Sequence, residues 1–312
     1  MKISGFTMGK NVTKLYYPIK ESILSILPIC DEFIVALGNC DEDDKTREEI
    51  LSINSPKIKI IDTVWDIEKY PEGTELAHQT DIAKSYCTGD WLFYIQADEV
   101  VHEEDLPKIK KRCEELLNDN EIEGLLFRYF HFWGDYDHHI DSHGWYKNEI
   151  RIIRNDKDIH SWRDAQSFRR IPGFDEKNYR QEENTSKLKV AKVDARIFHY
   201  GWVRPLNYMQ KKIKDFSEIQ SKAELQKKIQ LERFDYGVMS KIPVYKGTHP
   251  KLMQSWIDKL FWKDELAKVT EMPKDRKLTK HEKRKYRFIT FLEKYVFFRP
   301  MWEFKNYILL KR

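Results

Sequence analysis

Short apolar runs alternate with helical patterns through the first hundred residues of this 312-residue chain. The runs favour buried strands, and the segments between them repeat apolar residues every three or four positions, as helices do. The predicted strands are 3–8, 33–37, 58–61 and 91–95, and the predicted helices between them are 17–27, 46–53 and 75–85. Parallel strands need such crossover helices, so the order predicts an α/β fold with a mostly parallel sheet covered on both faces.

The second half of the chain changes character. After a helix at 106–117, strand patterns recur at 124–132, 149–154 and 189–199, whereas from Pro205 onwards the pattern is helical. Residues 206–312 carry 26 Lys and Arg against 13 Asp and Glu, a net charge of +13, and residues 1–205 carry −9. We therefore predict a catalytic α/β domain at 1–205 and a helical, basic C-terminal region at 206–312.

Several classes of protein are disfavoured by what the sequence lacks. No run of about 18 apolar residues could span a bilayer, and the first ten residues do not form a secretory signal. The four cysteines form no Cys-x-x-Cys pair, so we expect reduced thiols and a cytoplasmic location. No Gly-x-Gly-x-x-Gly or phosphate-loop motif is present, which argues against a dehydrogenase or a P-loop enzyme.

Two acidic clusters follow predicted strands. Asp41, Asp43 and Asp44 come after strand 33–37, and Asp98-Glu99 follows strand 91–95 through Gln96-Ala97. Because ligand crevices of parallel sheets lie beyond the carboxyl ends of the strands, we expect the two clusters to lie near one another. Carboxylates with open coordination positions suit Mg²⁺ or Mn²⁺, which can neutralise a leaving diphosphate.

The stretch from Ala77 to Val100 resembles the family-two glycosyltransferases of the GT-A fold. It combines a helix, a Thr-Gly-Asp turn, an apolar strand and Gln-Ala-Asp-Glu, where the family has Asp-x-Asp-Glu. The resemblance extends back to the acidic loop and forward through Arg151-Ile-Ile-Arg-Asn155 to Phe198-His-Tyr-Gly-Trp202, and so covers about 1–215. It implies a Rossmann-like, mixed but mostly parallel sheet flanked by helices.

The resemblance also implies roles for individual residues. The predicted metal ligands are Asp98, Glu99 and His199. The residues predicted to contact the nucleotide or the diphosphate are Lys10, Asp41, Asp43, Asp44, Gln96 and Lys212, with Lys211 as an alternative to Lys212. Gln96 replaces the usual first Asp, so it can bond a ribose but adds no charge. Asp164 is the predicted base that activates the acceptor, with Asp135, Asp137, Asp141 and Glu149 as alternatives.

The resemblance implies a function, transfer of a sugar from a UDP- or GDP-sugar to a hydroxyl of a glycan or glycolipid, with inversion. It also implies a role in cell-surface polysaccharide biosynthesis. Two other functions compete with it. A GT-A-like nucleotidyltransferase would carry a Gly-rich basic loop after the first strand, which 4–11 matches poorly. A non-catalytic protein that binds nucleic acid through the basic region would leave both acidic clusters without a purpose, and we expect no nucleic-acid partner.

Two segments allow more than one interpretation. The loop 133–145 is rich in His and aromatic residues; a zinc site, stacking on acceptor sugars, or packing under the sheet edge would each account for it. The tail 288–312 is apolar, aromatic and basic, which fits either an anionic membrane interface or a helix docked on the catalytic domain. The first alternative would place the protein peripherally on the inner face of the membrane.

Overall fold

The computed structural model describes residues 1–220, 234–269, 271, 278–301 and 305–312, and a mixed sheet forms the centre of the fold. Its strands run in the order β13-β12-β6-β8-β4-β1-β2-β3. Only β8 is antiparallel to both its neighbours along this path, so the sheet is mostly parallel. These strands are β1 Ile3–Gly9, β2 Glu32–Leu37, β3 Ile58–Asp62, β4 Trp91–Tyr94, β6 Gly124–Trp133, β8 Asn148–Arg154, β12 Lys189–Trp202 and β13 Ile308–Leu309.

Helices cover both faces of this sheet, as the alternating pattern predicts. The helices of the described chain are α1 Ile19–Ile26, α2 Thr46–Leu51, α3 Thr74–Ser85, α4 Leu106–Glu115, α5 Leu206–Gln220, α6 Gln254–Asp258, α7 Lys263–Ala267 and α8 Arg284–Tyr295. None of the helices in this part of the molecule combines the length and the apolar character needed to cross a bilayer. The α/β class and the GT-A-type arrangement predicted from the sequence are confirmed.

The central strands are buried on both sides because their side chains alternate between two cores. In β4, Trp91 and Phe93 pack with α1 and α4, whereas Leu92 and Tyr94 pack on the opposite face with α3. All four side chains are fully buried. Because such strands have apolar residues at every position, they could be predicted from the sequence as short apolar runs.

Several small strands were not predicted. The chain turns after β4 and starts a short strand, β5 (Glu99–Val101), antiparallel to β12. Within the loop 133–145, β7 (His139–Ile140) pairs with β6. A separate three-stranded sheet is formed by β9 (Ile159–Trp162), β10 (Ser167–Arg170) and β11 (Ser186–Lys187).

The C-terminal region packs on the carboxyl ends of β6 and β12. A third apolar cluster joins Phe132 and Trp133 of the sheet to Met253, Trp262 and Leu266. The helical prediction holds for α5, α6, α7 and α8, but non-helical segments separate these helices. It is wrong at the end of the chain, where β13 extends the central sheet beside β12. The boundary at residue 205 stays a prediction.

Candidate functional site

The polar side chains predicted as a site follow neighbouring strands. β4, β1 and β2 are adjacent and parallel, so their carboxyl ends meet at one edge of the sheet. Asp98 follows β4, Lys10 follows β1 directly, and the acidic loop 41–44 follows β2. The two acidic clusters therefore share this edge, with the end of β1 between them.

Within the acidic loop, the three aspartates have different tasks. Asp44 is buried: one oxygen accepts from the backbone N–H of Thr46 at 2.9 Å and the other from the Thr13 hydroxyl at 2.6 Å. It thereby fixes the loop and the start of α2. Asp41 and Asp43 are exposed and both pair with Lys14, Asp41 at 2.7 Å. These two carboxylates remain accessible to a ligand.

Lys10 lies beside the ring of Trp65, a neighbour that the sequence did not indicate. Its ammonium is 6.0 Å from the centre of the Trp65 ring, and the buried Nε1 of Trp65 has no hydrogen-bond partner among the described residues. A Cβ at Gly38 would lie 2.5 Å from this Nε1. Glycine at 38 is therefore required for the close approach of Trp65 to the end of β2.

Asp98 lies in a buried group of charges. Its Oδ2 is 3.5 Å from Nε2 of His199 and 3.8 Å from Nζ of Lys212. Burial alone would raise the pKa of Asp98, but His199, Lys212 and Arg204 together hold it well below its usual range. Burial and the charge of Arg204 lower the pKa of Lys212 to about 7. Asp98 is thus a carboxylate held in its ionised form.

The space in front of this carboxylate exists because residue 201 is glycine. A Cβ at Gly201 would lie 2.5 Å from both Oδ2 of Asp98 and Nε2 of His199. The pairing of β12 with β6 shifts register between His199 and Trp202, an irregularity of the kind that directs side chains at functional sites. Asp98 and His199 therefore converge on a small space that a side chain would fill.

A chain of hydrogen bonds fixes the orientation of His199. Nε2 of His131 is 2.8 Å from the carbonyl of Tyr146, which can only accept, so Nε2 carries the proton. Burial lowers the pKa of His131 to about 3, so the ring is neutral and its Nδ1 accepts. Nδ1 of His199 lies 3.0 Å from that atom and must donate. Nε2 is therefore the nitrogen of His199 that faces Asp98.

The donor set fits a divalent cation. A carboxylate oxygen and an imidazole nitrogen 3.5 Å apart can bind the same ion. The outward hydrogen bond from His199 to His131 is the usual support of a ligating histidine. No cluster of three or more His, Cys, Asp or Glu side chains suited to a metal occurs among the described residues, so the remaining ligands would come from a bound diphosphate and water.

The structure places Glu99 differently from the metal role predicted for it. Glu99 is fully buried, and its carboxylate accepts two hydrogen bonds from Arg151, at 2.7 and 2.8 Å. The Tyr129 hydroxyl and the backbone N–H of Gln96 also donate to it, at 2.8 and 3.1 Å. Both oxygens are occupied by these bonds, so Glu99 braces the turn that presents Asp98.

Gln96 connects this turn to the region of the predicted base. Its side-chain NH₂ group donates to the backbone carbonyl of Ala165 at 3.2 Å, while the backbone carbonyl of Gln96 accepts from the Ser22 hydroxyl at 2.8 Å. Ala165 lies in the turn between β9 and β10, next to Asp164. The side chain predicted to contact a ribose is thus bonded to the turn that carries Asp164, and its contact with a ribose stays a prediction.

Asp164 is held in an unusual turn. The residues on either side of it, Arg163 and Ala165, have φ of 58° and 60°. Non-glycine residues with such dihedrals concentrate at functional sites because the surrounding structure must maintain them. Asp164 itself is half-buried.

Of the four alternatives to Asp164, three are engaged elsewhere. Asp135 bonds His138 at 2.8 Å, and Asp137 and Asp141 form ion pairs with Lys263 and Lys294. Glu149 differs, because burial raises its pKa to about 7. One of its oxygens accepts from Gln166, in the same turn as Asp164, at 2.8 Å.

Sequence reasoning missed Arg204. Its guanidinium is fully buried, lies 4.2 Å from the ring centre of Tyr17 and donates to the carbonyl of Gly201 at 3.0 Å. Lys212 donates to the same carbonyl at 2.6 Å. Both cations therefore lie behind the space at Gly201. The only sequence signal was an arginine at the junction with the basic region.

A cleft of about 490 Å³ opens beside the acidic loop. It is lined by Thr13, Lys14, Asp43, Lys45, Asn207, Tyr208 and Lys211. Lys211 thus faces this cleft, whereas Lys212 points to Asp98. The two lysines that the sequence could not distinguish serve different parts of the same edge.

The aromatic residues of the His-rich loop pack against the apolar clusters. Trp133 and Tyr136 are buried in the third apolar cluster, as the packing alternative predicts, whereas Trp145 and Tyr146 are half-buried. The zinc alternative gains no support from the geometry, because His143 pairs with Glu293 instead.

No protein-family model matches the chain, and no curated protein matches it. Among solved structures, part of it is similar to glucosyl-3-phosphoglycerate synthase from Mycobacterium tuberculosis, crystallised with Mn²⁺, UDP and phosphoglyceric acid, at 20% identity and a TM-score of 0.28. The match covers 42% of this chain and 43% of the synthase. A crystal structure of a mycobacterial protein matches at 17% identity and a TM-score of 0.28, and this match covers 42% of the present chain and 41% of the mycobacterial protein. The chain thus spans less than half of the length of these proteins.

Proposed function

We propose that the chain is a glycosyltransferase that moves a sugar from a nucleotide-diphosphate sugar, UDP- or GDP-linked, to a hydroxyl of a glycan or lipid-linked acceptor. One observation carries the proposal: Asp98 and His199 converge on the space at Gly201, at the carboxyl ends of parallel strands. A nucleotide binds at this edge in sheets of this kind. The pair supplies ligands for Mn²⁺ or Mg²⁺, and cations stand behind it.

The proposed reaction needs charge neutralisation above all. As the bond to the anomeric carbon breaks, the diphosphate gains negative charge, and a divalent cation at Asp98 and His199 would stabilise that charge electrostatically. Arg204 adds positive charge beside Asp98, and so does Lys212 in its protonated form. Lys211, facing the cleft beside the acidic loop, can contact phosphate oxygens.

The nucleoside would bind between the acidic loop and Lys10. Asp41 and Asp43 are accessible there and can accept hydrogen bonds from ribose hydroxyls or from the base. Trp65 offers an aromatic surface beside Lys10. We assign Asp44, in contrast, to holding the loop in place, because Thr13 and Thr46 occupy its oxygens.

The acceptor hydroxyl must lose a proton as it attacks. We propose Asp164 as the base, since it is accessible and the strained turn that carries it is tied to the Asp98 turn through Gln96. Direct attack on the anomeric carbon, in line with the leaving diphosphate, would invert its configuration. Glu149 is the second candidate for the base because its raised pKa suits proton transfer near neutral pH. A role in cell-surface polysaccharide synthesis is the biological setting that we propose.

A thermal-shift and calorimetric titration with UDP- and GDP-sugars, each with and without Mn²⁺, tests the proposal. We expect one donor class to stabilise the protein in a metal-dependent way and Asp98→Asn to lose the metal-dependent part. Asp194→Asn is the matched control, because this carboxylate is 98% exposed. If no donor gives a metal-dependent shift, or if Asp98→Asn responds as the wild type does, the proposed function is wrong.

A further inference from the structure

The C-terminal helix α8 docks on the protein through its polar side. Glu293, which is buried, accepts from Nδ1 of His143 at 2.8 Å, and the Thr290 hydroxyl accepts from the backbone N–H of His143 at 2.8 Å. Lys294 pairs with Asp141 at 2.8 Å. The helix is therefore fixed to the loop 141–147 by hydrogen bonds, charge and the Tyr286 ring, which stacks on His143 with 5.8 Å between ring centres. Its other aromatic residues take no part in this contact.

The aromatic side of the same helix faces outward. Phe288, Phe291 and Tyr295 are 62%, 52% and 67% exposed. The turn that follows continues the surface with Val296, Phe297 and Phe298, the last of which is 80% exposed. A helix on a water-soluble surface normally buries this side. We call these six side chains the aromatic patch; contiguous exposed apolar surface of this kind marks an interaction site.

Basic residues border the aromatic patch. On α8 and the turn after it, Arg284, Lys285, Arg287 and Arg299 are all exposed. None of them forms an ion pair with a residue of the described chain within 4 Å, so their charges are available to a partner. Aromatic side chains beside unpaired cations are the composition of segments that lie in the headgroup region of an anionic membrane.

We propose that the aromatic patch and its basic border bind the surface of an anionic lipid bilayer. A second copy of the chain fits less well, because two-fold pairing would bring the two sets of cations together. A nucleic acid would use the cations but leave the phenylalanines exposed to water.

The docking loop connects this surface to the candidate site. Residues 141–147 hold α8 and also contain Tyr146, whose carbonyl accepts from His131, the partner of His199. The neighbouring Trp145 ring packs 5.2 Å from that of His131. Bilayer contact would thus hold the site close to acceptors carried by lipids, a consequence that rests on the proposed glycosyltransferase function.

Cosedimentation of the full chain with vesicles tests the surface. We expect binding to vesicles of 70:30 phosphatidylcholine and phosphatidylglycerol, little binding to phosphatidylcholine alone, and release in 0.5 M salt. Phe291→Ser and Phe298→Ser should each weaken binding about tenfold, as expected for losing one inserted ring. Phe261→Ser is the matched control, because Phe261 is 71% exposed on another segment and should bind as the wild type does. These positions are exposed, so the variants should keep the wild-type melting temperature.

Three results would overturn the proposal. The first is vesicle binding that does not change in Phe291→Ser and Phe298→Ser. The second is a wild-type dimer in sedimentation equilibrium that these changes dissociate, without vesicle binding. The third is salt-sensitive binding to polynucleotides in place of vesicles. Donor binding with Mn²⁺, measured without vesicles, separates the two proposals. If only donor binding fails, the proposed glycosyltransferase function is wrong. If only vesicle binding fails, the proposed membrane-binding surface is wrong.

Discussion

Replacing Gly201 by alanine tests whether the space in front of Asp98 is the functional one. The backbone of Gly201 does not have a positive φ, so alanine is compatible with its conformation. The added methyl group would lie 2.5 Å from Oδ2 of Asp98 and Nε2 of His199, closer than real Cβ contacts allow. The substitution therefore acts on these two side chains and not on the backbone.

The size of the effect follows from this geometry. To restore a contact of 3.4 Å, Asp98 and His199 must withdraw by just under 1 Å, and a misplacement of that size costs about a hundredfold in rate. Crowding a packed site costs about 1–3 kcal/mol of stability, partly offset by about 0.4–1 kcal/mol from replacing glycine in the unfolded chain. Gly201→Ala should therefore fold but lose metal binding.

The assay is Mn²⁺ titration followed by donor turnover. Gly89→Ala is the matched control, because its Cβ would also crowd a neighbour, at 2.8 Å from the backbone N of Ser4, but outside the site. Both variants should melt at a lower temperature, and only Gly201→Ala should lose the response to Mn²⁺. Wild-type Mn²⁺ affinity and turnover in Gly201→Ala would refute the assignment of this space to the metal.

Four further predictions concern neighbouring residues. His131→Phe removes the acceptor for Nδ1 of His199 and should weaken Mn²⁺ binding by about 10- to 100-fold, whereas His131→Asn, with an oxygen in its place, should restore much of it in the same titration. Glu99→Gln breaks a buried ion pair with Arg151 and should cost about 3–5 kcal/mol in urea unfolding; a loss below 1 kcal/mol would contradict its bracing role. Asp164→Asn should abolish turnover and leave donor binding intact, and normal turnover would remove it from the site. Burial raises the pKa of Glu149 to about 7 from its ordinary 4.5, so between these pH values the native state holds a proton that the unfolded state releases. The free energy of unfolding should therefore fall between about pH 4.5 and 7, by up to about 3 kcal/mol. Glu149→Gln should flatten that part of the profile of unfolding free energy against pH.

The pairing of charged side chains explains why Asp98 and Glu99, both predicted as metal ligands, have different surroundings. Asp98 and Glu99 are adjacent in sequence, and both are carboxylates at the end of a buried strand. The chain turns between them, so that Asp98 faces His199 while Glu99 meets Arg151 inside the fold. A buried guanidinium requires a partner, and the sequence offered no way to assign Arg151 to Glu99.

The sequence by itself determined the elements and their order. Alternation between buried runs and helical repeats specified an α/β sheet, because strands covered on both faces are apolar at every position. It also placed Asp98 and the acidic loop at strand ends, where a parallel sheet binds ligands. These features depend on the order of residues within short segments, and that order can be read from the sequence alone.

Only the tertiary structure decided which side chains meet. His199 lies opposite His131 on β6 and opposite Glu99 on β5, so the histidine pair and the space at Gly201 arise from strand register between segments far apart in sequence. The direction of α8 is equally non-local: its polar side is buried because His143 and Asp141 lie beneath it, which leaves the aromatic patch outward. Register and docking depend on contacts between distant residues, and a sequence pattern does not contain them.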